Sequence, residues 1–304
     1  MHFADRLTDR IDAIGSRLVI GVDPDPKRIL GTDSKFRAAF PGKPDAYLLD
    51  AFCATVSEVA KAYACAIKPQ AAFFESMGLL GWNALSRCIQ NARQHGIPVI
   101  LDAKRGDIGH TARAYAKAYL DPDSEFFADA LTVNPYLGPD ALQPFMDMAG
   151  SNGCGLFVLV KTSNPGSHAF QDLRVWDTPD GPRETLGEKV ARYVDELGKS
   201  HIGKSGFSNV GAVVGATYPE HLERLRQVMP KSIFLVPGYG AQGGTPEDVK
   251  PAFYPDGTGA VVSSSRGIIF AYESLPPPSP TDIFEAMAGA AQKARADINS
   301  TSSI

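Results

Sequence analysis

Short apolar runs rich in Val, Ile and Leu recur along the chain. Each gives way to a polar or Gly-rich break and then to a stretch of helical character. The runs fall at 18–22, 64–68, 98–101, 130–133, 156–160, 210–214, 233–236 and 259–262. Helical candidates alternate with them near 45–62, 79–95, 108–120, 139–149, 184–199, 218–229, 245–252 and 280–296, and residues 3–14 form a further helix ahead of the first run. Runs that are apolar at nearly every position belong to strands covered on both faces, and therefore to a parallel sheet beneath helices. Repeated strand-then-helix units predict an α/β fold, a TIM (β/α)8 barrel forming a single domain over 1–298, with an N-terminal helix before strand one and a disordered tail at 299–304. An open doubly wound sheet is the alternative, but it rarely needs so many repeats, and no G-x-G-x-x-G follows the first run. Two connections, 23–44 and 162–183, have the length of lids or binding loops. The second contains Trp176 and Asp180-Gly181 and reads as a hairpin or a lid.

Polar residues gather where the apolar runs end. Asp23 closes the first, Lys68 the second, Asp102 and Lys104 the third, Asn134 the fourth, and Lys161 with Ser163 the fifth. A Gly-rich segment, Pro237 to Gly244, follows the seventh, and Ser264-Ser265-Arg266-Gly267 the eighth. In a closed parallel barrel these ends share one rim, so residues distant in sequence converge. Asp102 and Lys104 stand two apart, which in an extended strand puts both on one face. Inside a partly dry cavity each would favour the other's charged form, leaving Lys104 suited to donating a proton rather than to acting as a nucleophile. A stabilising ion pair at the barrel end fits the same spacing equally well. The last two loops suit phosphate: Gly-rich turns let backbone N–H groups approach an anion, and Arg266 offers a bidentate fork. Asn134 fits a turn with Pro135 at least as well as a ligand contact, and Lys161 is as well placed to face a neighbouring strand as the rim.

Composition narrows the ligand class. A net charge of −4 over 304 residues leaves no broad basic surface, so a nucleic acid polymer is not the expected partner. An anionic ligand must be held by a few local cations or by backbone N–H groups. Cys53, Cys65, Cys88 and Cys154 form no C-x-x-C pair and read as reduced core residues. No His or Cys spacing suggests a metal site, so neither metal nor cofactor is expected. The first residues are charged and amphipathic, unlike a signal peptide, and no apolar run has membrane-spanning length. The expectation is a cytoplasmic protein without a membrane partner.

These motifs together resemble the orotidine 5′-phosphate decarboxylase family, in its longer bacterial subgroup (type 2). The resemblance rests on Asp102-x-Lys104-x-x-Asp107-Ile108, Lys68, Thr162-Ser163-Asn164-Pro165-Gly166, Asn134-Pro135-Tyr136-Leu137-Gly138, Pro237-Gly-x-Gly-Ala-Gln242-Gly-Gly and Ser265-Arg266-Gly267, in order along roughly 15–270. It implies loss of CO₂ from orotidine 5′-monophosphate to give UMP in pyrimidine biosynthesis, without a cofactor. By the same resemblance Lys104 protonates C6, Asp102 lies against the departing carboxylate, and Lys68 ties the charged array together. Asp23 binds a ribose hydroxyl and Ser163 reads the pyrimidine edge. Pro237, Gln242, Arg266 and Gly267 lie at the phosphate end, where Gln242 and Arg266 hold the phosphate and Gln242 bridges toward the base. Asp107, Ile108 and Thr111 reach into a partner subunit's site, which implies a homodimer.

Other readings stay open on sequence alone. Metal-dependent sugar-phosphate decarboxylases and aldolases of the same barrel type share the Asp-x-Lys-x-x-Asp strand. Here, however, strand two ends in the cation Lys68, and the nearest acid, Glu75, comes seven residues later. A Schiff-base lyase using Lys161 or Lys104 is a second alternative. A non-catalytic nucleotide-binding barrel is a third, although none of the Asp and Lys positions is missing.

Overall fold

The computed structural model describes residues 1–176, 183–240 and 244–301. Eight parallel strands form the barrel: β1 (Leu18–Val22), β2 (Ala66–Pro69), β3 (Ile100–Arg105), β4 (Ala130–Val133), β5 (Gly155–Lys161), β6 (Ser208–Val214), β7 (Ser232–Val236) and β8 (Ala260–Ser264). Hydrogen-bonded neighbours run β2-β1-β8-β7-β6-β5-β4-β3. Parallel bridges Ile67–Val99 and Gln70–Asp102 join the two ends and close the ring.

The nearly uninterrupted apolar runs have a two-sided cause. In β1, Leu18, Ile20 and Val22 face the helices, whereas Val19 joins Ala66, Ile100, Ala130, Phe157, Leu235 and Val261 in a separate cluster inside the barrel. Helix α1 (Phe3–Ile14) contributes Phe3 and Leu7 to that inner cluster and so plugs the end opposite the strand C-termini. The Phe3 and Phe157 rings meet edge to face at 5.9 Å. Gly155 makes room for this plug, since a Cβ there would stand 2.2 Å from the Phe3 ring.

The outer layer comprises α2 (Asp45–Tyr63), α3 (Gly78–Gln94), α4 (Gly109–Leu120), α5 (Pro139–Asn152), α6 (Leu186–Gly198), α7 (Pro219–Val228) and α8 (Pro280–Asn299). Local chemistry sets their ends. A capping box of Thr185 with Glu188 opens α6, and one of Ser279 with Asp282 opens α8. Gly153 in the left-handed region ends α5.

The structure departs from the pattern at 245–252 and at the C-terminus, and fills in both long connections. The helix expected at 245–252 is one turn, Pro246–Val249, followed by a 3₁₀ turn Lys250–Ala252. Pro251 has no N–H to continue the α-helical ladder. Connection 23–44 holds two short helices, Pro26–Leu30 capped by Asp25 and Lys35–Ala39 capped by Ser34. Connection 162–183 includes a short antiparallel ribbon pairing Arg174–Val175 with Glu184–Thr185, as a hairpin requires; Asp180 and Gly181 lie outside the described residues. Helix α8 reaches Asn299, and Ser300 and Thr301 still bond back to it, while 302–304 lie outside the described residues. All four cysteines are buried and free. Among the described residues no helix is long and apolar enough to cross a membrane.

Candidate active site

The strand C-termini enclose a cavity of about 400 Å³ lined by Asp23, Lys68, Asp102, Lys104, Ser163, Pro237 and Arg266, with Gln70, Thr132, Leu159, Tyr239 and Ser265. The barrel therefore brings residues from all eight strands, Val213 of β6 included, to one rim. A larger groove of about 800 Å³ between α5 and α6 has no buried ionisable side chain, so size alone does not mark the site.

The cavity is organised around the Asp102 carboxylate, which is 6% exposed. Lys68 Nζ donates to Oδ2 at 2.7 Å and Lys104 Nζ donates to Oδ1 at 2.5 Å. Gln70 Nε2 adds a hydrogen bond to Oδ2 at 3.1 Å, and the Thr132 hydroxyl donates to Oδ1 at 3.0 Å. Burial by itself would raise the Asp102 pKa, but Lys68 and Lys104 outweigh it and hold the carboxyl well below the usual range. Burial would lower the Lys68 pKa, yet Asp102 and Asp23 raise it above the ordinary ammonium value. The carboxylate and Lys68 are thus both locked in their charged forms.

The way Lys104 reaches Asp102 differs from the period-two expectation. Leu101 pairs with Leu131 and Arg105 with Val133, so β3 advances four residues while β4 advances two. Within this bulge Lys104 adopts φ 48°, the one non-glycine residue with positive φ among those described. A left-handed lysine is uncommon and strained, and such strain collects at functional sites. The conformation is pinned by the Lys104 N–H, which donates to Thr132 Oγ1 at 2.8 Å. Lys104 remains the most exposed member of the cluster, its side chain 44% accessible at the cavity mouth.

The opposite wall is looser. Asp23 Oδ1 is buried without a hydrogen-bond partner among the described residues, an acceptor suited to a donor such as a hydroxyl. Gly21 below it lets Ser265 come close: a Cβ at Gly21 would sit 1.8 Å from Ser265 Oγ. Arg266 opens a short helix, Arg266–Ile269, and is exposed with no ion-pair partner among the described residues. Gly238 and Gly240 take φ of 99° and 72°, shaping the turn after β7. Gln242, expected at the phosphate, lies outside the described residues.

Four expected residues stand away from the cavity lining. Asp107 accepts from the Ile108 N–H at 2.8 Å, Ile108 is 58% exposed, and Thr111 is exposed on the first turn of α4. Gly267 is likewise exposed, one residue beyond Arg266. Asn134 forms a turn, accepting from the Tyr136 N–H at 3.0 Å. Sequence reasoning missed Thr132 and gave Gln70 no role. The available signal for Thr132 was a lone polar residue inside the otherwise apolar run 130–133. Among the described residues no cluster of three or more His, Cys, Asp or Glu could hold a metal ion.

This arrangement has relatives. Residues 16–275 match the family model described as orotidine 5′-phosphate decarboxylase / HUMPS. An orotidine 5′-phosphate decarboxylase of Rhodopirellula baltica is 47% identical over 281 residues, covering 90% of each chain. One of Haloarcula marismortui is 45% identical over 273 residues, covering 90% of this chain and 88% of its own. The solved structure of Leishmania donovani OMP decarboxylase superposes with a TM-score of 0.74 at 36% identity, covering 99% of this chain and 98% of that one. The chain belongs to the orotidine 5′-phosphate decarboxylase / HUMPS family.

Proposed function

We propose that this chain converts orotidine 5′-monophosphate to UMP and CO₂ at the rim cavity. The observation that carries the reading is the buried Asp102 carboxylate gripped by Lys68 and Lys104, with Lys104 at the open mouth. When the C6–carboxylate bond breaks, its electron pair stays on a ring carbon with no adjacent carbonyl to accept it. A fixed ammonium beside that carbon stabilises the developing charge by several kcal/mol, because its orientation is already set before reaction. Lys104 then gives its proton to C6 and is reprotonated from solvent through the open mouth. Asp102, facing the substrate carboxylate, favours its departure and keeps Lys104 aimed. The Asp23 acceptor suits a ribose hydroxyl, Ser163 the pyrimidine edge, and Arg266 with the backbone at Pro237 the phosphate; the family resemblance adds Gln242 and Gly267 to the phosphate end.

The donor set speaks against the metal-dependent sugar-phosphate reading, since Lys68 and Lys104 flank the Asp102 carboxylate and would repel a divalent cation. The assay follows orotidine 5′-monophosphate absorbance with purified protein in EDTA. Turnover is expected there; activity that appears only on adding metal would favour the sugar-phosphate reading instead.

A homodimer with shared sites completes the proposal. Asp107, Ile108 and Thr111 stand on an exposed surface beside the mouth, next to the loop after β4, where Tyr136 is 79% and Leu137 49% exposed. An Arg105–Asn134 backbone hydrogen bond ties these two loops together. Apolar exposure of this kind fits a surface that a second copy covers. Mixing Lys104→Ala with Asp107→Ala chains should restore part of the activity through hybrid sites. Absence of rescue, with subunit exchange verified, would count against sharing.

A further inference from the structure

Lys161 has no place in the roles above, yet its side chain is 3% exposed and carries a charge. Burying an ammonium is costly and calls for a specific partner. Phe157 belongs to the barrel interior, and Leu159 packs against it and lines the substrate cavity. Simple alternation would therefore aim Lys161 into the cavity as well. It does not go there. Leu159 pairs with Val213 and Lys161 with Val214, so β5 carries an extra residue between them. The bulge turns Lys161 out of the barrel mouth. There its Nζ meets Asp172 Oδ1 at 2.7 Å, over the Tyr218 ring at 5.1 Å.

Asp172 lies in the segment that returns along the cavity-lining turn Thr162–Asn164. Its neighbour Gln171 clamps that turn twice: Gln171 Oε1 accepts from the Thr162 N–H at 2.9 Å, and Gln171 Nε2 donates to Thr162 Oγ1 at 2.9 Å. Below the turn, Gly215 lets the Ser163 backbone approach closely, since a Cβ there would stand 2.9 Å from Ser163 N. The Ser163 hydroxyl has no protein partner among the described residues and remains available to a ligand.

We infer that Lys161 is a positioning residue for base recognition: through Asp172 and Gln171 it fixes the Thr162–Asn164 turn that meets the pyrimidine. The inference rests on the reading that Ser163 faces the base. Its signature is selective. Loosening the turn should weaken ligands that carry the pyrimidine and spare those that offer only the sugar phosphate.

The test compares competitive inhibition by UMP and by ribose 5-phosphate in wild type, Lys161→Met and Asp172→Asn. Both variants should bind UMP about tenfold more weakly, the size of one lost hydrogen bond, while ribose 5-phosphate stays within about twofold. Asp172→Glu, which keeps the charge, should retain most of the wild-type preference. Equal weakening of both inhibitors, or unchanged UMP inhibition in a variant folded by circular dichroism, would overturn the inference. If Lys161→Met does not fold, Asp172→Asn decides, because Asp172 is partly exposed and lies outside β5. Failure of the underlying reading looks different: wild type itself would then bind UMP no better than ribose 5-phosphate.

Discussion

The two walls of the cavity are built on opposite principles. Around Asp102 each donor has its acceptor before any ligand arrives: Lys68, Lys104, Gln70 and Thr132 converge on one buried carboxylate. Across the cavity, Asp23 Oδ1 has no partner and Arg266 is exposed and unpaired among the described residues. The first wall has its electrostatics set in advance, as a charge-stabilising centre must. The second leaves its polar groups unsatisfied and can spend them on the ligand. Binding energy from a group remote from the reacting carbon can then offset the crowding of charges at the centre. The difference suggests that chemistry and affinity are separable by mutation.

The largest expected effect lies on the preorganised wall. Lys104→Ala should lower kcat by about 10³-fold or more, beyond the loss of one oxyanion donor, because it removes both the stabilising charge and the proton. UMP affinity, measured by calorimetry, should change far less. Activity within about tenfold of wild type would remove Lys104 as proton donor and erase the contrast between the walls.

On the open wall, Arg266→Ala should reduce kcat/KM by about 10²- to 10³-fold, the scale of a bidentate charge-assisted contact. The loss should vanish when orotidine, lacking the phosphate, is the substrate. An equal loss for both substrates would show that Arg266 supports the fold or the reacting end, and that the two walls are not separable in this way.

How much of this was legible in the sequence depended on whether the strands ran regularly. Leu18–Val22 and Ala130–Val133 matched their apolar runs end for end because buried parallel strands announce themselves by composition. The convergence of Asp23, Lys68, Asp102, Lys104 and Arg266 followed from barrel closure alone. Alternation failed at the two bulges. Lys104 does contact Asp102, but through a left-handed backbone, and Lys161, which the sequence left between the rim and a neighbouring strand, turns away from the cavity. An inserted residue in a strand leaves no mark on hydrophobic periodicity when its neighbours are apolar too. Thr132 escaped notice for a related reason: its hydroxyl matters only because the β3 bulge brings both the Lys104 N–H and the Asp102 carboxylate within its reach.

One further effect separates the walls without any substrate. Asp102 titrates well below an ordinary carboxyl once Lys68 and Lys104 overcome its burial, and Lys68 titrates above an ordinary ammonium. A depressed carboxyl contributes stability that is fully present above its unfolded value, about 3.9, and is lost as pH falls through the folded value. A raised ammonium contributes below its unfolded value, about 10.4, and loses that contribution as pH rises through the folded one. The pair should therefore support the fold evenly from about pH 5 to 9. Asp102→Asn strands the buried Lys68 charge and should cost about 3 kcal/mol in that window. By scanning calorimetry, its deficit against wild type should narrow toward pH 2, because the unfolded wild-type chain takes up a proton there that the folded Asp102 carboxylate still resists. Arg266→Ala, which removes an exposed side chain, should stay within about 0.5 kcal/mol of wild type throughout. A deficit for Asp102→Asn that widened in acid would mean the carboxyl is neutral in the folded protein, and the preorganised wall would lose the charge that distinguishes it from the open one.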